Sequence, residues 1–107
     1  MINYGRQFID EEDIEAVIST LKSDFLTTGP KVPEFESAVS NRVNSKYAIA
    51  VNSATSALHI ACMAIGLEKG DILWTSPNTF VASSNCGLYC GASVDFVDID
   101  AVSYTHL

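Results

Sequence analysis

Between Val51 and Gly66 the chain reads VNSATSALHIACMAIG, where Ser53, Thr55 and Ser56 set three hydroxyls around Ala54 in a run of small side chains. One apolar stretch, KYAIAV, leads into this run and another, ALHIACMAI, leaves it. At a joint from strand to helix, the unpaired amides of the first helical turn and the positive end of the helix dipole bind anions, phosphate above all. Small side chains let a phosphate approach that backbone, and Ser or Thr hydroxyls add hydrogen bonds to its oxygens. The run Ser53 to Ser56 therefore suits a phosphate cup. The same residue types are also favoured helix N-caps, worth about 1 kcal/mol whether or not anything binds. Taken alone, the run reads first as a cap. Neither G-x-x-x-x-G-K-[ST] nor G-x-G-x-x-G is present, so a P-loop and a standard dinucleotide fold are unsupported.

The next joint, WTSPNTFVASSN, places Phe80 just past Pro77. An aromatic at such a turn can lie over a flat ligand, although core packing is the commoner role for a Phe near a helix start. One joint suited to phosphate beside one suited to a planar ring points to a phosphorylated aromatic cofactor. Other residues carry less. Cys86 and Cys90 lie four apart on a helix without further metal ligands, and buried free cysteines behave as small apolar residues. His59 reads as a surface or packed imidazole, and Glu11, Glu12 and Asp13 as a solvated first turn.

The elements that must hold these joints follow from periodicity. IDEEDIEAVISTLKS reads as an amphipathic helix, with Asp10 as N-cap, Asp13 three residues on, and Ile14, Val17, Ile18 and Leu21 in one stripe. FLTTGP is a loop, and PEFESAVSNRV a second helix with Phe35, Ala38, Val39 and Val43 on one face. KYAIAV lacks alternation, as expected of a strand buried on both faces. A helix over residues 56–65 ends at Gly66, and ILWT is a second short buried strand. A helix over residues 79–90 ends at Gly91, and SVDFVDID alternates as a third strand. This order predicts an α/β fold with a parallel sheet. The tail AVSYTHL continues no pattern, so residues 101–107 read as atypical, a sequencing or frame artefact, and residues 1–100 as part of a larger domain.

At 107 residues there is room for one domain at most. A net charge of −7, with no basic cluster, disfavours nucleic acid as a partner. No apolar run is long enough to span a membrane, and the N-terminus lacks the basic and apolar regions of a secretory signal. Three cysteines without C-x-x-C spacing fit a reducing cytoplasm better than a disulfide framework, and no metal site is expected.

The segments SDFLTTGPKVPEFE, NSATSALHIA and WTSPNTFVASSNCGLYCGASVDFVDID resemble the sugar aminotransferases of the DegT/DnrJ/EryC1/StrS family. The likeness covers nearly all of Met1 to Asp100. It implies the N-terminal part of the large domain of a type I (aspartate-aminotransferase-like) fold, a three-layer α/β/α sheet, with pyridoxal 5′-phosphate as cofactor. The family's phosphate-binding S-[AG]-T element falls on Ser53, Ala54 and Thr55, and its ring-stacking aromatic on Phe80. Substrate contacts fall on Tyr4, on Asp24, Phe25, Leu26 and Thr27, and on Ala54.

The implied reaction moves an amino group from glutamate to C4 of a UDP-linked 4-keto-6-deoxy-N-acetyl sugar, in a homodimer. Family members are several times longer than this chain, and the lysine that carries the cofactor, like the acid that pairs with its pyridine nitrogen, falls beyond the quoted segments. None of Lys22, Lys31, Lys46 and Lys69 sits in the family's lysine motif, so the chain alone is expected to be inactive, with no catalytic residue. A sugar dehydratase of the same family and a non-catalytic phosphate-binding α/β module remain open alternatives.

Overall fold

The computed structural model describes residues 5–100. The chain divides into two compact units, Met1–Ala50 and Val51–Leu107.

The first unit holds two helices, α1 (Glu11–Leu21) and α2 (Lys31–Val43). Asp10 closes the start of α1 with a capping box: its carboxylate accepts from the Glu12 and Asp13 amides at 3.0 and 3.1 Å, and the Asp13 carboxylate accepts from the Asp10 amide at 3.1 Å. The Glu12 and Asp13 amides are thus taken by the helix's own cap acid. α2 ends where Asn44 turns left-handed at φ 53°, and the Ser45 amide reaches back to the Ser40 carbonyl. The predicted stripes exist, but neither helix contains a buried residue, and Val17, Leu21, Phe35 and Val43 are exposed.

In the second unit the elements run α3 (Ala54–Ala64), β1 (Ile72–Thr75), α4 (Ala82–Tyr89) and β2 (Ser93–Phe96). β1 and β2 pair in parallel, Ile72 opposite Ser93 and Thr75 opposite Phe96, so α4 is the crossover of a βαβ unit. α3 and α4 share the same C-terminal device. Gly66 and Gly91 adopt φ of 76° and 81°, and each donates to the carbonyl three residues back (Met63 and Leu88). The following amides, Leu67 and Ala92, reach the carbonyls of Cys62 and Gly87. Both are Schellman caps, which favour a residue without a Cβ at the left-handed position. The core is formed by Cys62, Ala82, Cys86 and Ala92, where α3 packs on α4 and α4 on the strands. Gly87 makes that last contact possible, because a Cβ there would lie 2.9 Å from Leu73 Cδ2 and 3.3 Å from Val94 Cγ2.

Several expectations change. KYAIAV forms no strand; Tyr47 and Ile49 are exposed, and the Ala50 amide donates to Glu36 Oε1 at 2.8 Å instead of to a ladder. A strand exists only when an adjacent strand accepts its hydrogen bonds, and none among the described residues does so. ILWT is a strand covered on one face only: Leu73 and Thr75 are half-buried, while Ile72 and Trp74 are exposed. SVDFVDID forms a strand over its first four residues, after which the Val97 amide still bonds the Thr75 carbonyl at 2.9 Å and Ile99 makes a single bridge. The helix expected over residues 79–90 starts at Ala82, because Ser76 Oγ takes the Asn78 amide and holds the preceding segment as a turn.

Candidate functional site

At the head of α3, Ser53 is extended (φ −160°, ψ 156°), and its Oγ accepts from the Ser56 amide at 3.2 Å. The cap expected from the run is therefore formed. It satisfies only one of the orphan donors. The Ala57 amide bonds the Ser53 carbonyl, whereas the amides of Ala54 and Thr55 have no acceptor among the described residues, nor does the Thr55 hydroxyl have a partner. No acid stands in the first turn of α3, in contrast to Glu11, Glu12 and Asp13 on α1. α4 differs again, since the Ser83 and Ser84 amides are taken by the carbonyls of Phe80 and Val81. Two free amides, a free hydroxyl and an unneutralised helix dipole make the head of α3 chemically fit for a phosphate.

The chain path sets this head and Phe80 toward the same end of the second unit. His59 of α3 contacts Tyr89 at the end of α4 edge-on, with ring centroids 5.2 Å apart. An open groove of about 370 Å³ between His59, Met63, Glu68, Tyr89 and Cys90 joins the C-terminal ends of both helices. α4 leads from there through Gly91 into the start of β2, and α3 through residues 65–71 into the start of β1. Both C-termini thus lie at the strands' amino edge, and both N-termini at the carboxyl edge. Ser53, Ala54 and Thr55 therefore share that edge with the β1–α4 loop. In this loop Phe80 is 74% exposed, so its ring is free to meet a ligand rather than packed in the core.

Asp24, Phe25, Leu26 and Thr27 belong to the first unit, in the loop between α1 and α2. Ser23 ties this loop down, its Oγ donating to the Thr20 carbonyl at 2.7 Å with the Phe25 carbonyl 3.2 Å away. Thr28 is held at φ 52°, where a β-branched side chain is strained, and a Cβ at Gly29 would lie 2.9 Å from that of Phe25. Phe25 and Leu26 are exposed. Tyr4 lies outside the described residues.

The cysteines are core residues. Cys62 and Cys86 are buried, and Cys86 Sγ donates to the Ser83 carbonyl at 3.3 Å. Burial pushes the Cys62 thiol up to about 11, helped by its hydrogen bond to Cys86 and by the charges of Cys86 and Cys90. A thiol held protonated in this way is a poor nucleophile. Asn52, to which no role falls on sequence grounds, is the residue the geometry adds. Its Oδ1 accepts from Ser56 Oγ at 2.8 Å and lies 3.4 Å from Ser53 Oγ. Its only signal in the sequence is an Asn four residues before a Ser at a cap.

The sequence model of the DegT/DnrJ/EryC1/StrS aminotransferase family matches residues 7–106. A UDP-4-amino-4,6-dideoxy-N-acetyl-beta-L-altrosamine transaminase of Campylobacter jejuni is 48% identical over 99 residues, which cover 92% of this chain and 26% of the relative. Spr1654 of Streptococcus pneumoniae, described as a sugar aminotransferase and solved in its PLP form, superposes with a TM-score of 0.89 at 32% identity over 96% of this chain and 26% of that one. Helicobacter pylori PseC, an aminotransferase involved in pseudoaminic acid biosynthesis, gives 0.85 at 34% identity over 92% of this chain and 27% of that one. The fold expected from the sequence is the fold of these aminotransferases. The chain spans about a quarter of the length of the curated relatives it matches.

Proposed function

The chain belongs to the DegT/DnrJ/EryC1/StrS aminotransferase family, and from that premise we propose that it forms the phosphate-binding and ring-stacking part of a sugar-nucleotide aminotransferase. Its cofactor is pyridoxal 5′-phosphate. The amino donor is glutamate, and the acceptor is C4 of a UDP-linked 4-keto-6-deoxy-N-acetyl sugar. The enzyme works as a cytoplasmic homodimer, in keeping with three free thiols. The observation that carries this reading is the head of α3, where the Ala54 and Thr55 amides stand without acceptors among the described residues.

When bound, the cofactor supplies an electron sink that lets an amino group leave one carbon and join another. The residues of this chain bind and orient. The Ala54 and Thr55 amides and the Thr55 hydroxyl hold the phosphate, with the α3 dipole behind them. Ser53 keeps the first turn in register through its bond to the Ser56 amide. The exposed Phe80 ring would stack on the flat ring of the cofactor and keep water from that face. Tyr4, Asp24 to Thr27 and Ala54 contact the sugar nucleotide. The lysine and acid that move protons are not supplied by these residues, so this chain alone is inactive.

The test compares this chain with the longer protein that contains it, each given pyridoxal phosphate, glutamate and the UDP-4-keto sugar. The longer protein is expected to release 2-oxoglutarate and form the 4-amino sugar, and this chain to do neither. Water elimination from the sugar in place of amination would establish the dehydratase. Turnover by this chain alone would refute the assignment of its residues to binding only.

A further inference from the structure

Asn52 sits directly before the cap, and its side chain organises both serine hydroxyls of α3. Ser56 Oγ donates to Asn52 Oδ1 at 2.8 Å, a full-strength bond. Ser53 Oγ approaches the same oxygen at 3.4 Å, at the limit of a useful bond, and stands 3.0 Å from Ser56 Oγ. One lone pair of Ser53 Oγ is already engaged by the Ser56 amide. A hydroxyl has a single proton, so the two serines divide unequally. The Ser56 proton is committed to Asn52, while the Ser53 proton is held weakly enough to be turned elsewhere. An incoming phosphate presents mainly acceptor oxygens, so it calls for such a proton together with the Ala54 and Thr55 amides. A neutral carbonyl oxygen at position 52 achieves the division. A carboxylate there would draw in both protons through charge-assisted bonds and repel the anion as well.

We propose that Asn52 is a positioning and specificity residue of the anion cup, whose neutral oxygen clamps Ser56 and leaves the Ser53 proton available to a phosphate. This rests on the reading of Ser53 to Thr55 as a phosphate site, and it adds that the charge and hydrogen-bonding character of residue 52 decide whether that site accepts an anion. Asn52 is exposed, so its replacement leaves the packing of α3 on α4 intact.

The test is titration of the chain with inorganic phosphate from pH 5 to pH 8, following the backbone amide resonances of Ala54 and Thr55. The wild type is expected to respond at those two amides and to bind more tightly as phosphate takes its second charge. Asn52→Ala removes the clamp and keeps neutrality. It should weaken binding by about fivefold at every pH, the equivalent of one hydrogen bond. Asn52→Asp should weaken it by about tenfold or more at pH 7, from the repulsion of a carboxylate about 5 Å from a dianion in near-aqueous dielectric. Its pH profile should also flatten, because the carboxylate, ionised throughout this range, repels the dianion about twice as strongly as the monoanion. Parallel profiles for the two variants, or wild-type affinity in Asn52→Asp, would overturn the role of Asn52 and leave the cup standing. No response of Ala54 and Thr55 in the wild type would overturn the cup and the role of Asn52 together.

Discussion

Replacing Gly87 by alanine sets two effects of opposite sign against each other at one atom. Gly87 lies inside α4, where alanine is favoured over glycine by about 1 kcal/mol. The added Cβ would lie 2.9 Å from Leu73 Cδ2, 3.1 Å from Leu73 Cβ and 3.3 Å from Val94 Cγ2. Cδ2 can swing away. Leu73 Cβ is fixed to the backbone of β1, which is laddered to β2, so the helix must move off the sheet instead. Overpacking of this kind costs about 1–3 kcal/mol, and packing therefore outweighs propensity, leaving Gly87→Ala destabilised by about 1 kcal/mol. For a unit of this size that lowers Tm by roughly 4–8 °C. The measurement is thermal unfolding followed by circular dichroism, with Gly87→Val as a larger step in the same direction. Leu73→Ala in the Gly87→Ala background should recover part of the loss relative to Leu73→Ala alone. A rise in Tm for Gly87→Ala would mean that α4 does not approach β1 as closely as described, and would refute the argument.

Ser53→Ala should destabilise α3 by about 1 kcal/mol, whereas Ser53→Gly should cost only a few tenths, measured by urea unfolding. Asp10→Ala, which empties the capping box of α1, should cost a similar 1 kcal/mol or so by the same measurement. Thr28→Gly relieves a β-branched residue held at φ 52° and should leave the first unit's stability level or raised by up to about 1 kcal/mol. Burial lifts the Cys62 thiol from 9.0 to about 11. Its contribution is therefore fully present below pH 9 and lost as pH rises through 11. Urea unfolding between pH 8 and pH 11 should show that fall, and Cys62→Ala should flatten it.

What could be read from the residues is what is decided locally. The Asp10–Asp13 capping box, the Ser53 cap and the glycines closing α3 and α4 each depend on bonds spanning six residues or fewer, and each is present as expected. The parallel pairing of ILWT with the strand after Gly91 follows from the crossover helix between them. KYAIAV could not be read, because strand character belongs to a pair and its apolar residues only describe one partner. The expectation that Ser53 to Thr55 and Phe80 share one edge followed from element order alone. The part played by Asn52 did not, because it depends on which rotamer brings Oδ1 to Ser56 Oγ and not to the Ser53 amide or to solvent.

The central claim, that the head of α3 holds a cofactor by its phosphate, is tested most directly with a matched pair of ligands. The chain is titrated with pyridoxal 5′-phosphate and, separately, with pyridoxal, while the amide resonances of Ala54 and Thr55 and the ring resonances of Phe80 are followed. Pyridoxal 5′-phosphate should shift all three, and pyridoxal should leave the two amides where they are. Equal amide shifts with both ligands, or shifts confined to lysines away from α3, would contradict it.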